Sequence, residues 1–376
     1  MSRKAAPRDE RRLSVRGATT TTEVVVAAGC LGRLEATLEE RFPRAKDAFF
    51  VVDRGVADAK VHRRWLGEWA PDPARTLVVP GGEAAKTRAV LEKVEDALLD
   101  AGLTRDDVVV AVGGGAVLDV TGFAASVVRR GLPWAAVPTS VVAQVDAAVG
   151  GKTAVNHPRG KNLLGTFHPP ALAVADVSTL RTLPARDRTA GLAEVWKSGL
   201  VGDPGLLALL EERGARDDDA WWVEIVARSL AVKARFVEAD ERDVGARRAL
   251  NYGHTVGHAL ETATAPDGLR HGEAVAIGMG VAAEVARGRG TLAAPWIEGQ
   301  DRALALLGLP TRVPPEATPA RLVAIALEDK KRRAGETLTM VLPRAHGGVS
   351  VAEDVSVAEL EAAIRVRRDR RRTRRR

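Results

Sequence analysis

The sequence predicts an α/β N-terminal domain built on a mostly parallel sheet, followed by a mostly α-helical C-terminal domain. Three observations carry this. From about residue 22 to 185, short apolar runs alternate with helix-like segments. From 186 onward the apolar spacing is helical, with Gly, Pro and Asp at the breaks. The glycine clusters of the first half fall where a strand hands over to a helix. Nearly continuous apolar strands alternating with helices imply a parallel sheet covered on both faces.

In chain order, "AFFVVD" (48–53), "TLVVP" (76–80), "DVVVAVGGG" (107–115), "WAAVPTS" (134–140) and "LAVADV" (172–177) read as strands. "KTRAVLEKVEDALLDAG" (86–102) has helical periodicity between two of them. In the second half "RTAGLAEVWKSGLV", "DPGLLALLEERGA", "DAWWVEIVARSLAVKARFVEAD", "NYGHTVGHALETA" and "GEAVAIGMGVAAEVARG" read as helices. The expected organisation is a flexible basic N-terminus over 1–20, the α/β domain over 21–185, the helical domain over 186–364, and a basic disordered tail over 365–376.

With 376 residues, 45% hydrophobic and 28% charged, the chain reads as globular rather than disordered. Its one cysteine, Cys30, rules out a disulfide framework. No apolar run reaches the length of a membrane span, and no apolar segment follows the charged N-terminus, so a cytoplasmic location is expected. The net charge of +7 sits at the ends: +8 over Arg365–Arg376 and +4 over Met1–Arg16 leave −5 for the residues between. A mildly acidic body with basic ends favours a solubilising tail over an arm for RNA or membranes, so no nucleic acid or membrane partner is expected.

"AVGGGAVLDVTGFAA" (111–125) follows a strand and opens a helix, where glycines let the backbone approach a pyrophosphate. Leu118 stands where a GxGxxG pattern has its third glycine, so a plain tight turn is the competing reading. "VPGGEAAK" (79–86) is a second such turn, and Asp53 closes the first strong strand, where it would reach a ribose hydroxyl. "QVDAAVGGKTAVNHPRGKNLLGTFHPP" (144–170) gathers Asp146, Lys152, Lys161 and Asn162 in a long polar connection suited to phosphate or carboxylate oxygens. The helical half adds Glu194, Lys197, Lys233, Arg247, Asn251, His254, His258 and His271. Glu194 and Lys197 at i, i+3 fit a surface ion pair, but the helix around them is apolar enough to be buried. Asn251, His254 and His258, at i, i+3 and i+7, form one stripe of one helix. The run lacks the glutamate of HExxH. A glutamate and two histidines from three segments would make a three-ligand metal site with open positions. Which of His254 and His258 is the ligand stays open on spacing alone.

These stretches, with "RRGLPWAAVPTS", "LRTLPARDRTAGLAEVWKSGL", "VKARFVEADERD", "LNYGHTVGHALE", "HGEAVAIGM" and "DKK", resemble the 3-dehydroquinate synthases of the sugar-phosphate cyclase group over roughly residues 48–345. The resemblance implies a carbon–oxygen lyase using NAD and Zn2+ (or Co2+). Its metal ligands fall on Glu194, His254 and His271, while His258 and Asn251 would face the substrate phosphate. Lys152, Lys197, Lys233 and Arg247 match substrate-site cations, the last two holding a carboxylate. Arg130, Asp146, Asn162 and Lys331 match further substrate contacts, and Arg130 would reach a neighbouring subunit, implying a homodimer. The NAD contacts fall on Asp53; on Gly81, Gly82, Glu83, Ala84, Ala85 and Lys86; on Gly114, Gly115, Ala116, Val117, Leu118 and Asp119; on Thr139 and Ser140; on Lys152 and Lys161; and on Thr179, Leu180, Arg181 and Thr182.

The implied reaction converts 3-deoxy-D-arabino-heptulosonate 7-phosphate to 3-dehydroquinate and phosphate, in the shikimate route to aromatic amino acids. Transient oxidation by NAD⁺ acidifies a C–H, phosphate is eliminated, the hydride returns, and an intramolecular aldol closes the ring. Gly55, Leu118, Ser140 and Pro169 depart from the family pattern on the cofactor side or in the loop, and no metal ligand or substrate cation is missing. The alternatives are an amino-dehydroquinate synthase, another sugar-phosphate cyclase, and a metal-dependent polyol dehydrogenase.

Overall fold

The computed structural model describes residues 9–59, 73–266, 268–330 and 337–369, and among these the chain divides into two compact units. The first comprises the described residues up to Pro184 together with Asp217–Arg242; the second comprises Ala185–Arg216 and the described residues from Asp243 onward.

The first unit is built on a seven-stranded sheet. In chain order its strands are β1 (Arg11–Arg16), β2 (Thr21–Ala27), β3 (Ala48–Asp53), β4 (Thr76–Val79), β5 (Val108–Gly113) and β6 (Trp134–Pro138). The hairpin strands β7 (Lys152–His157) and β8 (Gly160–Phe167) follow, then β9 (Leu172–Asp176) returns to the sheet. The spatial order is β1-β2-β9-β6-β5-β3-β4, all parallel except the β1–β2 pair. Every residue of β5, β6 and β9 is buried, the signature of strands covered on both faces. One face packs on Leu31, Leu34, Leu38 and Phe42, from the segment that holds α1 (Leu34–Arg41). The helices α2 (Arg88–Asp100) and α3 (Gly115–Val127) lie between strands, each burying its apolar stripe.

Two features differ from the sequence expectation. β1 occupies part of the N-terminus expected to be flexible. Its Val15 is buried while the arginines point out, and Glu238 accepts from the Arg16 backbone N–H at 2.9 Å. An edge strand with charged outward residues has little apolar signal to read. The run 144–170, read as one long connection, instead folds as a helical turn (Ala143–Ala147) and the β7–β8 hairpin.

The second unit contains α4 (Ala185–Gly202) and α5 (Pro204–Arg213). The chain then returns to the first unit as α6 (Asp219–Ala239), which sits with the sheet rather than with the helical half expected over 186–364. Its Trp221 and Trp222 are buried there. The second unit resumes with α7 (His254–Thr264), α8 (His271–Gly288), α9 (Ala294–Leu306), α10 (Pro319–Lys330), the hairpin β10 (Thr337–Pro343) and β11 (Val349–Ser356), and α11 (Val357–Asp369). The last helix runs into the tail expected to be disordered from 365, and Arg367 on it is fully buried. No helix among the described residues is long and apolar enough to cross a membrane.

α8 is buried almost along its whole length, and its small residues explain how. A Cβ on Gly278 would lie 2.0 Å from the Gly253 carbonyl oxygen, and one on Gly272 would lie 1.7 Å from that of Ala190. Glycine at these positions lets α8 approach its neighbours at backbone contact. Gly278→Ala is therefore expected to force α7 and α8 apart and to cost about 1–3 kcal/mol by overpacking, read as a lowered denaturant midpoint.

Candidate active site

Glu194 lies in the buried middle of α4, His254 is the first residue of α7, and His271 is the first residue of α8. Gly253, at φ 84°, turns the chain so that α7 starts at His254. Asn251 therefore ends a preceding helical turn (Ala246–Asn251) and is not on the His254–His258 helix, as an uninterrupted stripe required. The position needs glycine twice over, since a Cβ would also meet the Val275 carbonyl at 2.6 Å.

The three side chains converge. His254 Nε2 is 3.6 Å and His271 Nε2 3.4 Å from Glu194 Oε1, and one donor atom from each residue falls within 4.8 Å of the others. The spacing suits a divalent ion after small adjustments. Glu194 is 1% exposed and ion-paired with Lys197, yet neither carboxylate oxygen has a well-formed hydrogen bond. A buried carboxylate of that kind faced by two imidazoles fits a cation. His254 Nδ1 is 3.2 Å from the Tyr252 carbonyl oxygen, which can only accept. Nδ1 therefore carries the proton and Nε2 presents its lone pair toward Glu194.

Electrostatics agree. Burial alone would raise the Glu194 carboxyl, but Lys197, His254 and His271 hold it well below the usual carboxylate range. Burial and the Lys197 cation push His254 down to about 3, so it is neutral. Burial opposes a charged His271, but the facing carboxylates of Glu194 and Glu261, each 3.4 Å from a ring nitrogen, prevail and push it up to about 10. Metal-free protein thus keeps a proton on His271 that an entering metal must displace. Zinc uptake is expected to release that proton at any pH below about 10 and to strengthen as pH rises toward it. Calorimetry in buffers of different ionisation enthalpy reads the proton directly.

Around these residues the same unit places Lys197, Arg247, Asn251 and His258. Lys197 and Arg247 are buried, His258 is exposed, and its ring centroid is 5.4 Å from that of His254. Sequence reasoning missed Glu261. Its Oε1 is 3.4 Å from His271 Nδ1, and it continues the α7 stripe of His254 and His258, the periodicity that would have found it.

In the first unit the predicted cofactor residues gather at the carboxyl ends of parallel strands, where ligands of open α/β sheets bind. Asp53 ends β3 and accepts from the Gly55 backbone N–H at 2.8 Å. A Cβ on Gly81, just after β4, would lie 2.6 Å from Asp53 Oδ1. The turn Gly81–Lys86 thus closes on Asp53, carrying Gly82, Glu83, Ala84 and Ala85. Gly114 caps α3 with no side-chain hydrogen bond to its first amides, and Gly115, Ala116, Val117, Leu118 and Asp119 form its opening turns. That terminus suits a pyrophosphate. Thr139 and Ser140 follow β6, and Thr179, Leu180, Arg181 and Thr182 follow β9.

Buried Lys86 donates to Asp119 and to Asn162 Oδ1, each at 2.5 Å, and Asn156 donates to Glu83 at 2.7 Å. The hairpin β7–β8 is thereby tied to both glycine turns. Burial pushes the Asp119 carboxyl up to about 6 against the pull of Lys86. Lys233, on α6, is ion-paired with Asp146 at 2.6 Å. Lys152 and Lys161 stand exposed on the hairpin, and Arg130 is exposed at φ 62°. Lys331 lies outside the described residues.

The description "3-dehydroquinate synthase N-terminal" matches residues 76–190 and "3-dehydroquinate synthase C-terminal" matches residues 191–332. A curated 3-dehydroquinate synthase from a Bradyrhizobium species is 43% identical over 362 residues, covering 93% of this chain and 94% of that protein. Among solved structures, 2-epi-5-epi-valiolone synthase from Streptomyces hygroscopicus, with NAD+ and Zn2+ bound, superposes with a TM-score of 0.82 at 31% identity. It covers 95% of this chain and 98% of that one. A 2-deoxy-scyllo-inosose synthase, complexed with carbaglucose-6-phosphate, NAD+ and Co2+, gives 0.80 at 25% identity over 95% and 99%.

Proposed function

The chain belongs to the 3-dehydroquinate synthase family, and we propose that it converts 3-deoxy-D-arabino-heptulosonate 7-phosphate to 3-dehydroquinate and phosphate. The observation that carries the reading is the convergence of Glu194, His254 and His271 around a buried carboxylate without a well-formed hydrogen bond. These three would hold the divalent metal, zinc or cobalt, and the glycine turns after β4 and β5 would hold NAD. When bound, those groups supply Lewis-acid polarisation of a hydroxyl and a reversible hydride acceptor.

The protein's own groups bind, neutralise and orient. Lys233 and Arg247 would take the substrate carboxylate, and Asn162, Asn251, His258 and Lys331 its phosphate. Lys152 and Lys197 would complete the cationic lining, with Asp146 positioning Lys233. Burying a carboxylate and a phosphate dianion in one pose requires such neutralisation, and bidentate or multiple charged contacts fix that pose. A carboxylate on the substrate would give Lys233 and Arg247 a role in binding that a sugar phosphate lacking one does not, which favours the heptulosonate over other cyclase substrates. Arg130, exposed at a strained turn, would reach a second subunit of a homodimer.

The test is phosphate release from 3-deoxy-D-arabino-heptulosonate 7-phosphate with zinc and substoichiometric NAD⁺, the product scored by coupled dehydratase. The expected result is many turnovers per NAD⁺ with dehydroquinate formed. Stoichiometric NADH accumulation would instead mark a dehydrogenase. No release by folded, zinc-loaded protein would exclude this substrate.

A further inference from the structure

We propose that Glu261 is a positioning residue that fixes the ring and tautomer of His271 and thereby sets the affinity of the Glu194–His254–His271 site for its metal. This rests on the metal reading above. His271 presents its two ring nitrogens to two different carboxylates: Nε2 to Glu194 and Nδ1 to Glu261, each at 3.4 Å. A histidine cannot ligate through both nitrogens and also keep a proton. The carboxylate of Glu261 is the acceptor that makes Nδ1 the proton-bearing atom and leaves Nε2 for the ion. For His254 the Tyr252 carbonyl has the same part, so both histidines are held Nε2-first by an acceptor on the segment that contains α7.

Charge gives a second, independent reason. Glu194 is already offset by Lys197. A divalent ion added to that pair would leave the buried group with two positive charges. Glu261, whose side chain is 15% exposed, removes one of them at the far side of the His271 ring, where a metal-bound imidazole gains most from a negative acceptor. Its place on α7 has a mechanical consequence too. α7 supplies His254 directly and holds His271 of α8 through Glu261, across the glycine contact that sets the spacing of the two helices. His258, one turn before Glu261, has its ring centroid 6.2 Å from that of His271.

The experiment measures zinc affinity by competition with a chromophoric chelator, and the cobalt(II) absorption spectrum, for full-length wild type, Glu261→Gln and Glu261→Ala. Zinc binding is expected to weaken by roughly 10- to 100-fold in the alanine variant, and by less in the glutamine variant, whose amide oxygen still accepts from Nδ1. Unfolding midpoints of the metal-free proteins are read alongside: both variants should fall below wild type by a similar amount, since each removes the negative charge beside the protonated His271. The difference in zinc affinity between the glutamine and alanine variants then reports the acceptor. Equal affinity of wild type and Glu261→Ala would overturn the inference while leaving the metal site standing. Wild type that binds no zinc would overturn both. A second zinc equivalent bound by wild type and lost in Glu261→Gln would overturn it differently, making His258, Glu261 and His271 a metal site in their own right.

Discussion

Glu194→Gln is expected to leave the protein without its metal and to lower turnover by about 10³-fold or more, the equivalent of several kcal/mol of Lewis-acid stabilisation. The substitution is nearly isosteric, so packing in the middle of α4 should survive. What changes is charge. Lys197 lies against the carboxylate with its own side chain 3% exposed. Without the negative partner a buried ammonium stands beside the metal position, and the site repels a cation that it now attracts. Breaking a buried pair in this way costs about 3–5 kcal/mol, so a fall in stability should accompany the loss of metal. Restoring neutrality with Glu194→Gln plus Lys197→Met is expected to recover stability without recovering zinc. Zinc content and unfolding midpoints of the two variants separate the effects. Retained stoichiometric zinc in Glu194→Gln would place the metal elsewhere.

Much of this site was legible in the sequence because its residues sit on strong local patterns. β5 runs straight into a glycine turn and then α3, and periodicity alone locates that junction. His271 opens a helix whose first turn contains Glu273, which accepts from the Arg270 backbone N–H at 2.9 Å. Features that depend on distant partners were not legible. Spacing put Asn251 and His254 on one helix, since a left-handed glycine between them has no periodic signature. α6 follows α5 after a short break, yet it belongs with the sheet, because its Trp221 and Trp222 find their buried surroundings there. The β7–β8 hairpin reads as a loop because only Thr153, Ala154 and Val155 of it are buried, while Asn156 and Asn162 serve contacts to Glu83 and Lys86 that lie far away in sequence.

The same blindness hid Arg367, and its replacement by leucine is expected to destabilise the second unit by about 3–5 kcal/mol, the cost of stranding buried partners. Nine arginines in the last twelve residues look like a solvated run. Arg367 instead donates to Asp301 at 2.5 and 2.9 Å and to the Thr311 carbonyl at 2.6 Å. Glu284 of α8 lies 3.9 Å away, with its side chain 1% exposed. Thr311, Asp301 and Glu284 are 56, 66 and 83 residues away along the chain, beyond any local window. The guanidinium also fills the space left by Gly280, where a Cβ would come within 2.3 Å of its Nη2. Arg367 is thus packed against the helix that begins with His271, at Gly280 and Glu284, although the sequence around it is a run of charges. Arg367→Lys keeps the charge but cannot reproduce the fork that meets Asp301 and the carbonyl together, so it should recover only part of the loss. Truncation after Ile364 should resemble Arg367→Leu or exceed it, whereas truncation after Asp369 should leave the unfolding midpoint near wild type. If both truncations left it unchanged, Arg367 would contribute nothing net, and the last helix would owe its place to Leu360, Ala363 and Ile364 alone.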